Sequence, residues 1–169
     1  MWYVIQVRTG KEHDILTMYN RRIKAPDEEL FIVRCIRYIR NPGGGFHEQE
    51  ANAFPGYIFA DTENIDNLRE RLRKIPDLTK VLGAGEDVFP IYKEEEEVLQ
   101  LLIGDDHIIN TSKGIIRNRQ LIITSGDLVG QEGLIVWVNR HRKVACIEIE
   151  ISGRKVKTKV GLEITKKTD

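Results

Sequence analysis

Residues 53–60 read Ala53-Phe54-Pro55-Gly56-Tyr57-Ile58-Phe59-Ala60: three aromatics, an isoleucine and a small residue at each end, with no charge in eight positions. The nearest charges lie just outside, at Glu48, Glu50 and Asp61. Such a run is too short for a membrane helix and has the length and aromatic content of a strand buried on both faces. Pro55 lacks an amide hydrogen and belongs near the start of that strand, and Gly56 lets another backbone or a partner come close. The stretch is either a plain central strand or one whose aromatic start doubles as a docking surface. The chain on either side bears on that choice.

N-terminal to it, Trp2 to Arg8 is β-rich, and Thr9-Gly10 breaks the run. From Lys11 to Lys24 the apolar Ile15, Met18, Tyr19 and Ile23 recur at helical spacing, and Ala25-Pro26-Asp27 ends the helix. Phe31 to Ile39 alternates and reads as one half-buried strand. Asn41-Pro42-Gly43-Gly44-Gly45 is read as a mobile hairpin tip, because a phosphate-cradling loop would need a following Gly-Lys-Ser/Thr and a helix.

C-terminal to it, Asp61-Thr62 is expected to cap a helix over 64–75 with the stripe Ile65, Leu68, Leu72 and Ile75, and Pro76 just beyond. Lys80 to Gly85 reads as a short strand. Glu94-Glu95-Glu96-Glu97, ahead of Val98, Leu99, Leu101 and Leu102, is a helix start with a solvated acidic face rather than a metal cluster. Residues 1–104 therefore form an α+β domain, helices over a small antiparallel sheet.

Gly104 to Lys113 is polar and lacks a helical stripe, so a linker is placed at 105–112. Beyond it the pattern is all strand: Leu121–Thr124, Gly133–Val138, Lys143–Ile151 and Val156–Val160. Residues 113–169 are expected to form a small all-β barrel.

The bulk numbers agree with two small domains: 169 residues, 41% hydrophobic and 31% charged. Cys35 and Cys146 lie in strand patterns without metal-ligand spacing and read as buried thiols of a cytosolic protein. No metal, cofactor or signal peptide is expected. His13, His47, His107 and His141 lie in separate segments, so no catalytic grouping is visible and an enzyme is not expected. The net charge of zero conceals a split. Residues 113–169 hold 12 basic and 6 acidic residues, leaving 14 and 20 for residues 1–112. The basic half is the candidate for nucleic acid.

Ser152-Gly153 has the form of a two-residue hairpin turn. Ile151 then faces Arg154, Glu150 opposes Lys155, and Glu148 opposes Lys157. Those two lysines are neutralised across the ladder, and Ile147, Ile149, Ile151, Val156 and Val160 share the core face. The unopposed charges are Arg140, His141, Arg142 and Lys143, four consecutive donors at one turn, with Arg117, Arg119, Arg154 and Lys159 as further phosphate-binding candidates.

Two segments carry a family resemblance. Trp2-Tyr3-Val4-Ile5-Gln6-Val7 with Gly10-Lys11-Glu12, followed by Phe54-Pro55-Gly56-Tyr57-Ile58-Phe59, resembles the N-terminal domain of the NusG transcription elongation factors. Gly126-Asp127 through Gly133 to Val138 resembles their C-terminal KOW module, an SH3-like barrel. Arg140-His141-Arg142-Lys143 and Val160-Gly161-Leu162-Glu163-Ile164 look more like the specialised LoaP antiterminators than like housekeeping members.

The resemblance implies a monomeric cytoplasmic factor whose N-terminal domain docks on the clamp helices of RNA polymerase through Phe54 and Tyr57, with Tyr3 and Phe89 beside them. It implies a KOW domain that binds a nascent RNA hairpin, or else Rho or a ribosomal protein. Contact of the 41–47 tip with non-template DNA is left open. The KOW segment starts Gly126-Asp127-Leu128-Val129-Gly130, without the proline and phenylalanine often seen there, which counts against Rho or ribosomal contact. The C-terminal half shows no helical stripe, so a helix-to-barrel switch is not expected.

Overall fold

The computed structural model describes residues 1–74 and 88–169. The expected strand over Lys80–Gly85, together with Ile75 and Pro76, lies outside the described residues. The chain separates into two compact units that interleave along the sequence. One comprises Met1–Ile32, Phe54–Glu96 and Ile151–Gly153, and the other Val33–Ala53, Glu97–Glu150 and Arg154–Asp169.

The first unit is built on an antiparallel sheet in the order β2-β5-β1-β6. Its strands are β1 (Trp2–Gln6), β2 (Glu29–Phe31), β5 (Tyr57–Asp61) and β6 (Val88–Pro90). In an antiparallel ladder, residues directly opposite each other project to the same side. On one side, Ile5, Leu30, Ile58 and Ala60 pack with Ile15 and Tyr19 and with Leu68 and Leu72. The last four come from helix α1 (Glu12–Met18), the π-helical turn Tyr19–Ile23 that continues it, and helix α2 (Ile65–Arg73). On the other side lies an aromatic cluster: Trp2 edge-on to Phe31 at 5.2 Å, and Phe31 stacked on Phe59 at 5.6 Å. Ile58, Phe59 and Ala60 are all fully buried, so β5 is covered on both faces as its composition predicts.

That strand starts later than expected. Phe54-Pro55-Gly56-Tyr57 is a tight turn, with the Tyr57 amide donating to the Phe54 carbonyl at 3.1 Å and Gly56 at φ +87. Proline in the second place and a left-handed glycine in the third are the requirements of a type II turn. The buried carboxylate of Glu12 fixes it, accepting from the Gly56 amide at 2.7 Å and from the Gly10 amide at 3.0 and 3.2 Å. Gly10-Lys11-Glu12 and Phe54-Pro55-Gly56 are therefore one structural device, a carboxylate pinning its own glycine turn to another whose glycine lies 44 residues along the chain from Glu12.

Several local expectations change. The alternating stretch 31–39 is two strands, because Glu29–Phe31 pairs with β5 whereas Arg34–Arg40 (β3) pairs elsewhere. Helix α2 is capped by Asn64, whose side chain accepts from the Asn67 amide at 3.0 Å. Thr62, expected in that role, donates its hydroxyl to Glu28 at 3.0 Å. Glu28 is buried and also accepts from the Tyr19 hydroxyl at 2.7 Å and from Arg71 at 2.7 and 2.9 Å. Burial raises the Glu28 pKa, but these hydrogen bonds and the charge of Arg71 outweigh it, and the net shift is below the ordinary carboxylate value. Burial, with the Glu28 charge, pushes the Tyr19 phenol well up.

The four-glutamate run does open helix α3 (Lys93–Leu102), yet Glu95 is not part of a solvated face. It accepts from the Tyr92 amide at the helix start (2.9 Å) and from the Ser152 and Gly153 amides (2.9 and 2.8 Å). The backward bond to Tyr92 is half of a capping box.

The second unit holds a five-stranded sheet in the order β10-β11-β12-β8-β9 and a three-stranded sheet in the order β4-β3-β7. The larger sheet comprises β8 (Ser112–Arg117), β9 (Gln120–Ser125), β10 (Ile135–Asn139), β11 (Val144–Ile151) and β12 (Arg154–Thr168). The smaller comprises β3, β4 (Phe46–Asn52) and β7 (Ile108–Ile109). Two pairings are parallel, β12 with β8 and β3 with β7. The segment 105–112, expected as a linker, thus contributes β7 and the first residue of β8. The conformation of Ser152 (φ +53) and Gly153 (φ +77) gives the two-residue turn its expected form, and Lys157 reaches Glu148 at 3.9 Å. Gly126-Asp127 also has a mechanical basis. Gly126 sits at φ +96 with an added Cβ only 2.4 Å from the Thr111 carbonyl, and Asp127 accepts from the Asn110 amide at 2.6 Å.

Candidate functional site

The β3–β4 hairpin closes on a tip where Asn41 exchanges hydrogen bonds with Gly45 and Gly44 at 2.9 and 3.1 Å, the two glycines taking positive φ. Its strands carry Arg37, Tyr38, Arg40 and Phe46. Together with His141, Arg142, Val144, Ile39 and Lys159, they line an open cleft of about 530 Å³. Four of the nine lining residues are arginine or lysine and none is acidic, so the cleft is a concentrated positive field with aromatic walls.

Its geometry is fixed by hydrogen bonds to the backbone of this unit. Arg37 Nε donates to the Lys159 carbonyl at 2.8 Å, and an Arg40 guanidinium nitrogen to the His141 carbonyl at 2.9 Å. Arg40 also lies over the Phe46 ring at 5.3 Å. Gly161 allows β12 to approach β3, since a Cβ there would stand 3.0 Å from the Ile36 carbonyl and 3.2 Å from the Tyr38 ring. Behind the cleft, Cys35 directs its thiol to the Lys159 carbonyl at 3.5 Å; burial raises its pKa, Arg37 opposing, which keeps it an unreactive thiol.

Of the eight cations singled out from the sequence, the structure gathers His141, Arg142 and Lys159 at this cleft. Arg140 is exposed in the same turn. Lys143 is in a different position. At φ +56, its ammonium sits 4.6 Å from the Phe46 ring centre and 5.4 Å from that of Tyr38, and 3.6 Å from Glu163. This caged lysine ties the turn to the hairpin and is already neutralised. Arg117 ends β8, where it aligns with Thr168 at the far end of β12, Arg119 lies in the β8–β9 turn, and Arg154 begins β12. None of these three lines the cleft.

Arg37 and Arg40 were missed at the sequence level, because Arg37 reads as one more polar residue of a half-buried strand and Arg40 falls just past that strand's expected end at Ile39. The available signal was three arginines at a spacing of three, Arg34, Arg37 and Arg40, leading into a glycine-rich tip followed by Phe46.

The four aromatics assigned to polymerase docking do not form one surface. Phe54 is 1% exposed, edge-on to Phe59 at 6.1 Å, and is a core residue. A buried phenylalanine contributes roughly 3–5 kcal/mol to folding, so Phe54 serves the fold first. Tyr57 lies opposite Gln6, and Phe89 opposite Val4, on the aromatic-cluster side of the sheet, and both are half-buried. Tyr3, opposite Ala60 and Pro90, points to the other side and packs on the helix-covered core. A smaller polar groove of about 300 Å³ runs along Gln6–Thr9 and Pro55–Tyr57.

Among the described residues no group of three or more histidine, cysteine or carboxylate side chains could hold a metal ion, and both cysteines are buried free thiols. Among the described residues no helix is long and apolar enough to cross a membrane.

Residues 1–101 match the family described as transcription termination factor nusG. A transcription termination/antitermination protein NusG from Halalkalibacterium halodurans is 21% identical over 171 residues, covering 97% of this chain and 95% of that protein.

Proposed function

The chain belongs to the NusG family, and from that premise we propose that it is an antitermination factor that holds a nascent RNA hairpin in the cationic cleft while docked on RNA polymerase. As a family member it is a transcription termination/antitermination factor and not an enzyme. The finer reading treats it as a specialised paralog of the LoaP kind, cytoplasmic and monomeric. Residues 1–104 then dock on the polymerase clamp helices through the side of the sheet bearing Tyr57 and Phe89. Residues 113–169 carry the KOW-containing, SH3-like module, with 105–112 leading into it as β7 and the start of β8, and the 41–47 tip is a candidate contact for non-template DNA.

The observation that carries the RNA reading is the cleft itself, with Arg37, Arg40, Arg142 and Lys159, no acidic lining residue, and walls of Tyr38 and Phe46. A duplex RNA offers phosphates and shape rather than readable base edges, and an array of arginines and lysines on two hairpins suits such a target. A second reading, a general elongation factor whose C-terminal strands meet Rho or a ribosomal protein, is supported by the exposed Ile122, Val129 and Val136.

The test is binding of the full chain to hairpin and single-stranded RNAs across a salt series, wild type beside Arg142→Ala/Lys159→Ala. Hairpin preference with a log–log salt slope that falls by about 2 in the double variant, and an affinity loss of roughly tenfold, is expected. Weak binding with a slope the variant leaves unchanged would move the assignment to the protein-binding reading.

A further inference from the structure

We propose that Trp137 is a stacking platform for one unpaired nucleobase, so that the RNA preferred by the cleft carries an unpaired purine beside its duplex. The inference rests on the reading that the cleft binds RNA and adds the feature by which one RNA is chosen over another.

Of the two tryptophans in the chain, Trp2 is 8% exposed in the aromatic cluster and Trp137 is 42% exposed. Trp137 stands on β10 just after a bulge that shifts the register between Ile135 and Trp137, opposite Cys146 of β11. A bulge re-aims the side chain that follows it. The indole thus faces out beside Val136, itself 49% exposed.

Its position ties it to the cleft. The ammonium of Lys159 lies 5.9 Å from the indole centre, and Lys159 is also a lining residue of the cleft. Three residues on from Trp137 the chain enters the turn that supplies His141 and Arg142. The ring therefore sits at the rim of the phosphate-binding surface. A cation near 6 Å is at the outer limit of cation–π contact, and Trp137 keeps 42% of its surface exposed.

The occupant follows from the pairing of charge with an open π-face. Bases inside an A-form duplex are stacked and paired, with no face to offer. A base that leaves the duplex carries its phosphate into the field of Lys159 and Arg142 and its π-face onto the indole. Stacking of this kind is tolerant of base identity, so a purine is favoured through its larger face rather than through hydrogen bonds.

The test uses the full chain and two RNA duplexes of identical sequence, one blunt and one with a single unpaired 3′ adenosine. Wild type is expected to bind the second about tenfold more tightly and to lose tryptophan emission on binding. Trp137→Ala should bind both duplexes with the blunt-duplex affinity of wild type, and Trp137→Phe should keep most of the preference. Trp137→Phe also guards against a loss of fold in the alanine variant. A preference retained in Trp137→Ala overturns the platform while the cleft reading stands. Equal binding of both duplexes by wild type, without quenching, also overturns it and leaves the indole for a protein surface. Binding of neither duplex removes the cleft reading and the platform with it.

Discussion

Glu28 and Arg71 in the first unit, and Arg142 and Lys159 in the second, show two different uses of charge. The Glu28 carboxylate is buried and fully partnered: two bonds from Arg71, one from Tyr19 and one from Thr62. Burying such a group without its partners would cost several kcal/mol, so the network is a condition of folding. Arg142 and Lys159 are exposed in a cleft with no acidic lining residue, where they add self-repulsion and nothing to the core. Charges of the first kind specify a structure, and those of the second kind are left facing solvent without an acidic partner in the cleft lining. Lys143 stands between them, since its place in the sequence suggests a free donor but its Tyr38–Phe46–Glu163 cage makes it part of the scaffold.

The contrast breaks most visibly at Arg71. Replacing it by leucine leaves Glu28 charged, buried and short of its cation, and should lower the unfolding free energy by about 3–5 kcal/mol in urea denaturation, with RNA affinity unchanged wherever the protein stays folded. The same pair sets an acid limb. The Glu28 pKa is depressed in the folded state, so its stabilisation is present above the ordinary value of 4.5 and lost as pH falls through the lower folded value. Thermal melts across acidic pH should show a shallower limb in Arg71→Leu than in wild type; identical limbs would mean that the pair does not set it.

A smaller loss is expected at Gly126. Alanine there faces both a left-handed φ and a backbone carbonyl 2.4 Å from its Cβ, and should destabilise the second unit by about 2–3 kcal/mol. RNA binding should fall with the folded fraction and no further. The smallest effect belongs to Lys157→Ala. Lys157 is 58% exposed and faces Glu148 at 3.9 Å, so stability should change by about 0–1 kcal/mol and RNA affinity by less than twofold. A large affinity loss there would extend the binding surface past the cleft and erase the distinction between paired and unpaired lysines.

What could be read from the sequence was local. The buried strand at Tyr57–Asp61, the amphipathic helices, the Ser152-Gly153 turn and the Lys157–Glu148 pair all follow from periodicity, turn chemistry and ladder geometry within a few residues. The basic turn at 140–143 was legible for the same reason. The non-local pairings were not. Nothing in the alternation of 31–40 says that the chain changes sheets between Phe31 and Arg34, and nothing around Leu162 says that it runs parallel to Ser112. Arg37 and Arg40 joined the site only through acceptors more than 100 residues away. The burial of Phe54 was not legible either, because composition cannot show that the turn at Pro55-Gly56 turns its ring inward.

The long reach of Arg37 to the Lys159 carbonyl, 122 residues apart, also has a consequence in time. A ribosome adding roughly 5–20 residues per second makes the hairpin about 6–24 s before the strand that supplies this acceptor. The sheet of β1 and β5 and its Glu12 pin are complete long before that. Each copy of the protein therefore acquires the β1–β5 pairing and its Glu12 pin first, and the cleft is assembled only once Lys159 has been made. A nascent chain that stops short of Lys159 would have the β3–β4 hairpin but neither the acceptor of Arg37 nor a closed cleft.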